Sequence, residues 1–582
     1  MGTGYMIDAP LRVARYGISS VLSLVDDILI EQMRRYHCGQ AGEPYEEIPD
    51  ADIDHRAKRI TAYLNLLDRL IHRQVEALQA SPFEPGSEIT RYYEMLPEGP
   101  LRQAYRDMQA VVDPAERAKL QEPLRRWAVP GGIDVNIMSK GDRDCYRNGE
   151  KMSVIYSDAS AALRGFAQST LRSSMVFSAG FNPRLYGYIS EFHDFLPDEN
   201  GELKKKIVLK VSDFHSATVQ GKFLAKRGAW VSEYRIESGL NCGGHAFATK
   251  GLLLGPILEE FQAKKHELVA ELHGLYVKAL QRLGRPAPES PLAIRVTVQG
   301  GIGTAAEDAL LREHYGADGT GWATPFLLVP EVTSVDEAHL EKLRSASGDD
   351  VYLSDSSPFG LPYWNLRTSA SEDARRRRID ENHPGSPCPK GFVRLFNTEF
   401  TPLPICTASR QYQKLKLAAI DRQEMTDQER AAARERVIVK SCICNDLAGG
   451  ATLKYGIESH ATPSVCCGPN IVNFSKIATL EEMVGHIYGR ISLLTKADRP
   501  HMFLRELELY IDLLRDEVEK HQQGASTNTP KYFHEYKENL FAGIEHLRLL
   551  AEQFAPEEKA TYLAILNGHR TNLDGIVLPT VQ

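Results

Sequence analysis

The sequence of 582 residues has no long apolar run, no excess of positive charge and no Cys-x-x-Cys pair, and each absence removes a class of protein. A membrane-spanning helix needs ~18 or more consecutive apolar residues, and no stretch approaches that length. The opening MGTGYMIDAPLRVARYG has no charged segment followed by an apolar one, so it does not read as a secretory signal, and a cytoplasmic location is expected. A formal charge of −8 excludes the electrostatic footprint of a nucleic-acid binder. The basic clusters Lys204 to Lys206 and Arg375 to Arg378 lie among acidic and polar residues and read as solvated faces. No strand ends in G-x-G-x-x-G with an acidic residue downstream, which argues against a dedicated nicotinamide domain. Internal repeats at solenoid spacing are also missing. Nine cysteines, an odd number in a chain without a secretory signal, do not make a disulfide scaffold.

What is present is a globular composition, 42% hydrophobic and 25% charged, with enough length for a large core and more than one domain. From about Gly39 to Pro130 the pattern is helical; Leu64, Leu67, Ile71 and Val75 recur at helical spacing. From Gly131 to about Leu366 short apolar runs (IDVNIM, SSMVFSAG, KIVLKVSD, WVSEYRI, AIRVTVQGG, GTGWATPFLL) alternate with helical stretches, the signature of a parallel α/β sheet or barrel. Beyond Ser371 come a linker rich in Pro, Gly and Arg, a cysteine-rich segment and amphipathic helices. Thr479 with Glu482 spells a capping box, and Phe503, Leu507, Ile511, Leu514 and Val518 mark one helical face. The expected division is 1–38 as the first strand and helix of a barrel, 39–130 as a helical insertion, and 131–370 as the rest of the barrel. A cysteine-rich segment at 371–475 and a helical region at 476–582 complete it.

The segment AIRVTVQGGIGTAAEDALLREHYG joins a strand, the glycines Gly300, Gly301 and Gly303, and a helix whose first N–H groups face the turn, which together make an anion site. The next strand ends in its own small residues, Gly321 and Thr324. In a (β/α)8 barrel a phosphate is often held between the last two strands' loops, and two such turns in tandem suit that geometry.

The order GLNCGGHAF, VTVQGGIGT, YGADGTGWATPFLLVPE and DVYLSDSSPFGLP resembles the nitronate monooxygenase family of FMN barrels, over roughly residues 5 to 38 and 131 to 366. The resemblance implies a (β/α)8 barrel that binds FMN. Gly243 and Gly244 would pass close to the flavin and His245 would face the substrate. Gly300 and Gly301, with Gly303, Gly321 and Thr324, would hold the phosphate, and Asn136 would hydrogen-bond the isoalloxazine edge. Asn241 and Cys242 stand where the family has acidic and alanine residues, and Ala323 stands in place of a glycine. Enoyl reductases of polyketide and polyunsaturated fatty acid pathways also resemble this barrel.

Flavin chemistry needs a proton donor or acceptor from the protein. His245, with an unperturbed pKa of about 6.5, suits that task. Lys210, a charge within an apolar strand, reads either as an inward cation near the flavin or as a solvent-reaching stem. Cys242 reads either as a reactive thiol or as a small buried hydrophobe. Six cysteines, Cys388, Cys406, Cys442, Cys444, Cys466 and Cys467, crowd one segment. They leave open an iron–sulfur cluster such as [4Fe-4S], a zinc site, or unliganded thiols. The expectation is therefore an FMN-dependent oxidoreductase, a reductase or dehydrogenase with a small organic substrate. A redox partner or carrier protein and a homo-oligomer are further expectations. A true nitronate monooxygenase, an enoyl reductase, a non-catalytic flavin scaffold and a flavin-free phosphate-binding barrel are the alternatives.

Overall fold

The computed structural model describes residues 3–139, 142–178, 180–242, 249–358, 360, 362–387, 390, 397–496, 498–524 and 526–580. Seven strands form its main sheet: β1 (Ser20–Ser23), β2 (Ile133–Ile137), β3 (Ser174–Phe177), β4 (Lys206–Val211), β5 (Val231–Glu237), β6 (Arg295–Gln299) and β7 (Gly319–Gly321). Every neighbouring pair is parallel and the spatial order is the chain order. A doubly wound sheet reverses its order at a switch point. This one never does, and a sheet wound in one direction curls.

The curl is visible in a side-chain contact. Asp134 on β2 and Arg235 on β5 approach to 3.9 Å although two strands lie between them. In a flat sheet, strands three places apart would be separated by ~14 Å. The chain is thus an α/β protein built on a curled, parallel half-barrel.

Between β1 and β2 the chain makes a set of helices, including α1 (Asp27–Ala41) and α2 (His55–Ala80). Asp26 caps α1 by accepting from the Leu29 N–H, and Gly42 ends it in the left-handed conformation (φ 65°). Leu64, Leu67, Ile71 and Val75 are all buried on α2. Helix α3 (Asp158–Ala167) crosses α2 at Gly165, where a Cβ would meet Ile60 and the Ala57 carbonyl at 2.7–2.8 Å. Helices α4 (Phe214–Ala225) and α5 (Leu254–Arg282) cover the convex side; Tyr234 of β5 points there, against Phe261.

The segment after Leu366 does not form a separate lobe. A hairpin of β8 (Val351–Ser354) and β9 (Tyr363–Leu366) shares a core with Tyr92 and Tyr93 of the inserted helices and with Cys466, Cys467 and Met483. Helices α6 (Met502–Gln522), α7 (Pro530–Leu550) and α8 (Pro556–Asp574) pack in the same core as α5. Thr479 and Glu482 form the expected capping box, and the Phe503 face of α6 is buried throughout. Among the described residues no helix is long and apolar enough to cross a membrane.

The Arg375 to Arg378 run, expected in a linker, belongs to a helix, Ala370–Asp380, with Arg376 and Arg377 exposed and Arg375 paired with Glu372 at 2.8 Å. Lys205 is wholly buried rather than solvated: its ammonium donates to Ser169 O and Oγ (2.9 and 3.0 Å) and lies 4.4 Å over the Phe166 ring. Burial lowers its pKa to about 7.

Candidate functional site

Alternation along β5 sends Tyr234 and Ile236 outward and Glu233, Arg235 and Glu237 into the concave side, which is therefore polar. Glu237, last on its strand, collects three donors on Oε1: the Lys210 ammonium at 2.6 Å, the Asn241 amide at 2.6 Å and the Gln299 amide at 2.8 Å. All four side chains are more than nine-tenths buried. Lys210 thus points inward, one of its two expected orientations. A buried carboxylate is tolerated when it is paired and hydrogen-bonded, and this one is both.

Asn136 lies on β2 on the same side, 7% exposed. Its amide reaches Ser23 Oγ at 3.5 Å, while its Oδ1 is buried without a partner. An orphaned buried acceptor costs free energy unless something donates to it. Beside it, Asp26 accepts from Lys390 at 3.0 Å, tying the cysteine-rich segment to the end of β1. These groups stand at the carboxyl ends of parallel strands, where barrels place their chemistry.

The turn with Gly243, Gly244 and His245 lies outside the described residues, but both of its flanks are anchored. Glu506 of α6 accepts from Ser238 Oγ and from the Leu254 N–H, each at 2.8 Å, bracketing the loop between β5 and α5. The Trp364 indole N–H donates to Gly239 O at 3.0 Å. Cys242 is buried, and burial beside Cys466 and Cys242 pushes the Cys467 thiol well up. That describes protonated, unreactive sulfur at Cys467.

The glycine turn after β6 is built differently from its expected use. Gly300 and Gly301 are left-handed (φ 102° and 79°), and a Cβ on either would strike Asn241 or Leu240 at 2.7–2.8 Å. Gly303 donates its N–H to Glu307 Oε2 (2.8 Å), and the Arg499 guanidinium occupies the space beside it. Arg499 also pairs with Glu307 (2.7 Å), donates to Gly301 O (2.8 Å) and meets Asn470 (2.9 Å). Thr324 follows β7 at the start of a short 3-10 turn and accepts from the Gly468 N–H at 3.2 Å. Gly321 lies against Gln299. These glycines let the chain's own segments approach: Leu240, Asn241 and Gln299 from before the turns, and Arg499 from after them. The ring end of the site fits a flat hydrogen-bonding cofactor at Asn136; at the phosphate end, Gly303 and Thr324 already have partners.

The expected metal cysteines are dispersed. Cys442 and Cys444 start the helix Ile443–Lys454, Cys406 sits in a half-buried loop, Cys466 and Cys467 lie near Cys242, and Cys388 is outside the described residues. Among the described residues no group of three or more His, Cys, Asp or Glu side chains is arranged to hold a metal.

No family model and no curated protein matches the chain. Among solved structures it is similar to the enoyl reductase domain of MlnA from the macrolactin biosynthesis cluster of Bacillus amyloliquefaciens. Identity is 14% over 77% of this chain and 88% of that one, with a TM-score of 0.32. A likeness at that level carries no argument.

Sequence reasoning missed Glu237, Gln299, Arg499 and Glu506. Glu237 and Gln299 each close an apolar strand, a readable position. Glu506 is three residues from Phe503 and so shares its buried helical face, a signal that could have been used.

Proposed function

We propose that the chain is an FMN-dependent oxidoreductase, a reductase or dehydrogenase of a small organic substrate, on an opened (β/α)8 barrel. The observation that carries this is the unpartnered buried Oδ1 of Asn136 on the same concave face as the buried Lys210–Glu237 pair, each at the carboxyl end of its parallel strand. Bound flavin would supply hydride or electron transfer. Asn136 would accept a hydrogen bond from the ring, and Glu237, held by Asn241 and Gln299, would fix the Lys210 ammonium in the site. His245, carried on the loop that Glu506 brackets, is the proton donor in this reading. Asn241 places a neutral amide, engaged with Glu237, where the resembled family has an acid, which favours reduction over nitronate oxidation. The proposal does not extend to an iron–sulfur cluster, for which the described cysteines offer no common centre.

The test is the visible spectrum of protein purified without oxygen, before and after dithionite. Paired near-ultraviolet and blue bands that bleach on reduction are expected, with less flavin retained in Asn136→Leu. A colourless protein that takes up no added FMN ends the proposal.

A further inference from the structure

The run Arg375 to Arg378 divides in the structure. Arg375 and Arg376 pair with Glu372 and Asp373 one turn earlier, at 2.8 and 3.9 Å, as i,i+3 neighbours do. Arg377 and Arg378, in the last turn of the helix Ala370–Asp380, form no ion pair among the described residues. A third guanidinium without an ion pair among those residues, that of Arg410, opens the helix Arg410–Asp421. These groups meet at Ser386, which is 5% exposed. Its Oγ accepts from the Arg378 guanidinium at 3.5 Å and from the Cys442 N–H at 3.1 Å, and its carbonyl accepts from the Arg410 N–H at 3.3 Å. Gly385 permits the approach: it is left-handed (φ 89°), and a Cβ there would strike the Arg410 Cα at 2.6 Å.

Positive charge accumulates at this joint. Cys442 and Ser409 are the N-cap residues of the helices Ile443–Lys454 and Arg410–Asp421, each twelve residues long, so two helix amino ends with their partial positive charge lie beside the guanidinia. The helix at Arg410 has no acidic residue in its first turn to offset that charge. The carboxylate facing Arg378 is Asp446, in the first turn of the other helix, 6% exposed and engaged by Ser371 Oγ at 2.5 Å. Burial lowers the pKa of the half-buried Arg378; Asp446 opposes that, and the charges of Arg410 and Arg377 reinforce it. Three guanidinia against one buried carboxylate leave two positive charges in excess, in a chain whose formal charge is −8. An anion relieves such crowding, and the planar guanidinium fork matches phosphate oxygens. A phosphate monoester, with about −1.5 to −2 charges at neutral pH, balances the excess.

We infer that this joint binds a phosphate dianion, free or carried as a monoester by a small organic molecule, between the Arg378 and Arg410 guanidinia, with Arg377 adding to the field. The site shares no residue with the Lys210–Glu237 site and does not depend on the flavin reading. Nothing is transformed in binding.

Calorimetric titration of the full chain with inorganic phosphate and with glycerol 3-phosphate tests the inference. One saturable site per chain is expected. Tighter binding of glycerol 3-phosphate identifies the ligand as an ester, whereas equal or tighter binding of inorganic phosphate identifies the bare ion. Dimethyl phosphate, a monoanion, should bind about tenfold more weakly than either. Arg378→Met and Arg410→Met should each weaken phosphate binding about tenfold, the factor that one charge-assisted hydrogen bond carries. Arg410 is exposed, so its replacement decides the matter if Arg378→Met folds poorly. Arg376→Met, on the same helix as Arg378 but paired with Asp373, should leave affinity unchanged. Absence of a saturable site, dimethyl phosphate binding as tightly as the dianions, affinity indifferent to Arg378→Met and Arg410→Met, or an equal loss in Arg376→Met would each overturn the assignment.

Discussion

Glu506 shows what one buried carboxyl does for a loop 250 residues away in sequence. It lies 2% exposed on α6, accepting from Ser238 and Leu254 on either side of the β5–α5 loop. Burial raises its pKa to about 7. Its unfolded value is ~4.3, so the folded chain holds the proton more tightly. The stabilisation is therefore complete below pH ~4.3 and disappears as pH rises through 7, a loss of order 3 kcal/mol. Glu506→Gln keeps an acceptor for Leu254 and offers Ser238 a donor, and it cannot ionise. Wild-type melting temperature should fall relative to that variant between pH 5 and 8; parallel profiles for the two proteins would refute the assignment. At this scale the sequence was partly legible. Asn136 and Lys210 do lie buried on the concave face of the candidate site, and the bend after β6 does need glycine. The partners were hidden, because Glu307 and Arg499, or Glu506 and Ser238, meet only through tertiary packing.

At the scale of elements, apolar runs located the strands well. IDVNIM, SSMVFSAG and KIVLKVSD contain β2, β3 and β4, since buried parallel strands announce themselves as short β-branched runs. The end of the sheet was less legible. GTGWATPFLL yields a strand of only three residues before turning into 3-10 helix, and AAEDALLREHYG gives a short α-helix followed by a π-turn. Gly and Pro there weaken any periodic signal. The α2–α3 crossing depends on Gly165, whose carbonyl also accepts from Thr61 Oγ1 at 2.9 Å. Gly165→Ala should destabilise the protein by ~1–3 kcal/mol through overpacking, despite alanine's better helix propensity. A chemical denaturation series measures this, and an unchanged or raised midpoint would show that the helices can separate at no cost.

For the molecule as a whole, composition and patterning gave the α/β class, whereas the way the last third of the chain is woven into the rest carries no local signal. Residues 476–582 look like an appended helical region in sequence, yet they complete three earlier structures. Arg499 neutralises Glu307 and holds the turn after β6, Glu506 brackets the β5–α5 loop, and Gly543 lets α7 settle on Leu253, where a Cβ would come within 2.6 Å. At the other end, Asp8 is hydrogen-bonded by Ser334 and Tyr455 and lies beside Arg12 and His37, so the first residues are also fastened to late ones. Glu307 is 3% exposed, and stripping a buried carboxylate of its guanidinium partner typically costs ~3–5 kcal/mol. A chain ending at residue 475 would lose that pair together with the apolar cover of α5. It is expected to be recovered as aggregate, or to lack the near-ultraviolet circular dichroism of the full chain. Arg499→Met, a single change that keeps most of the side chain's length, should lower the melting temperature without altering secondary structure. If the truncated chain were soluble and natively packed, the C-terminal helices would be an appendage and the half-barrel would stand alone. The two experiments separate those architectures, because an appendage can be removed without penalty and a woven segment cannot.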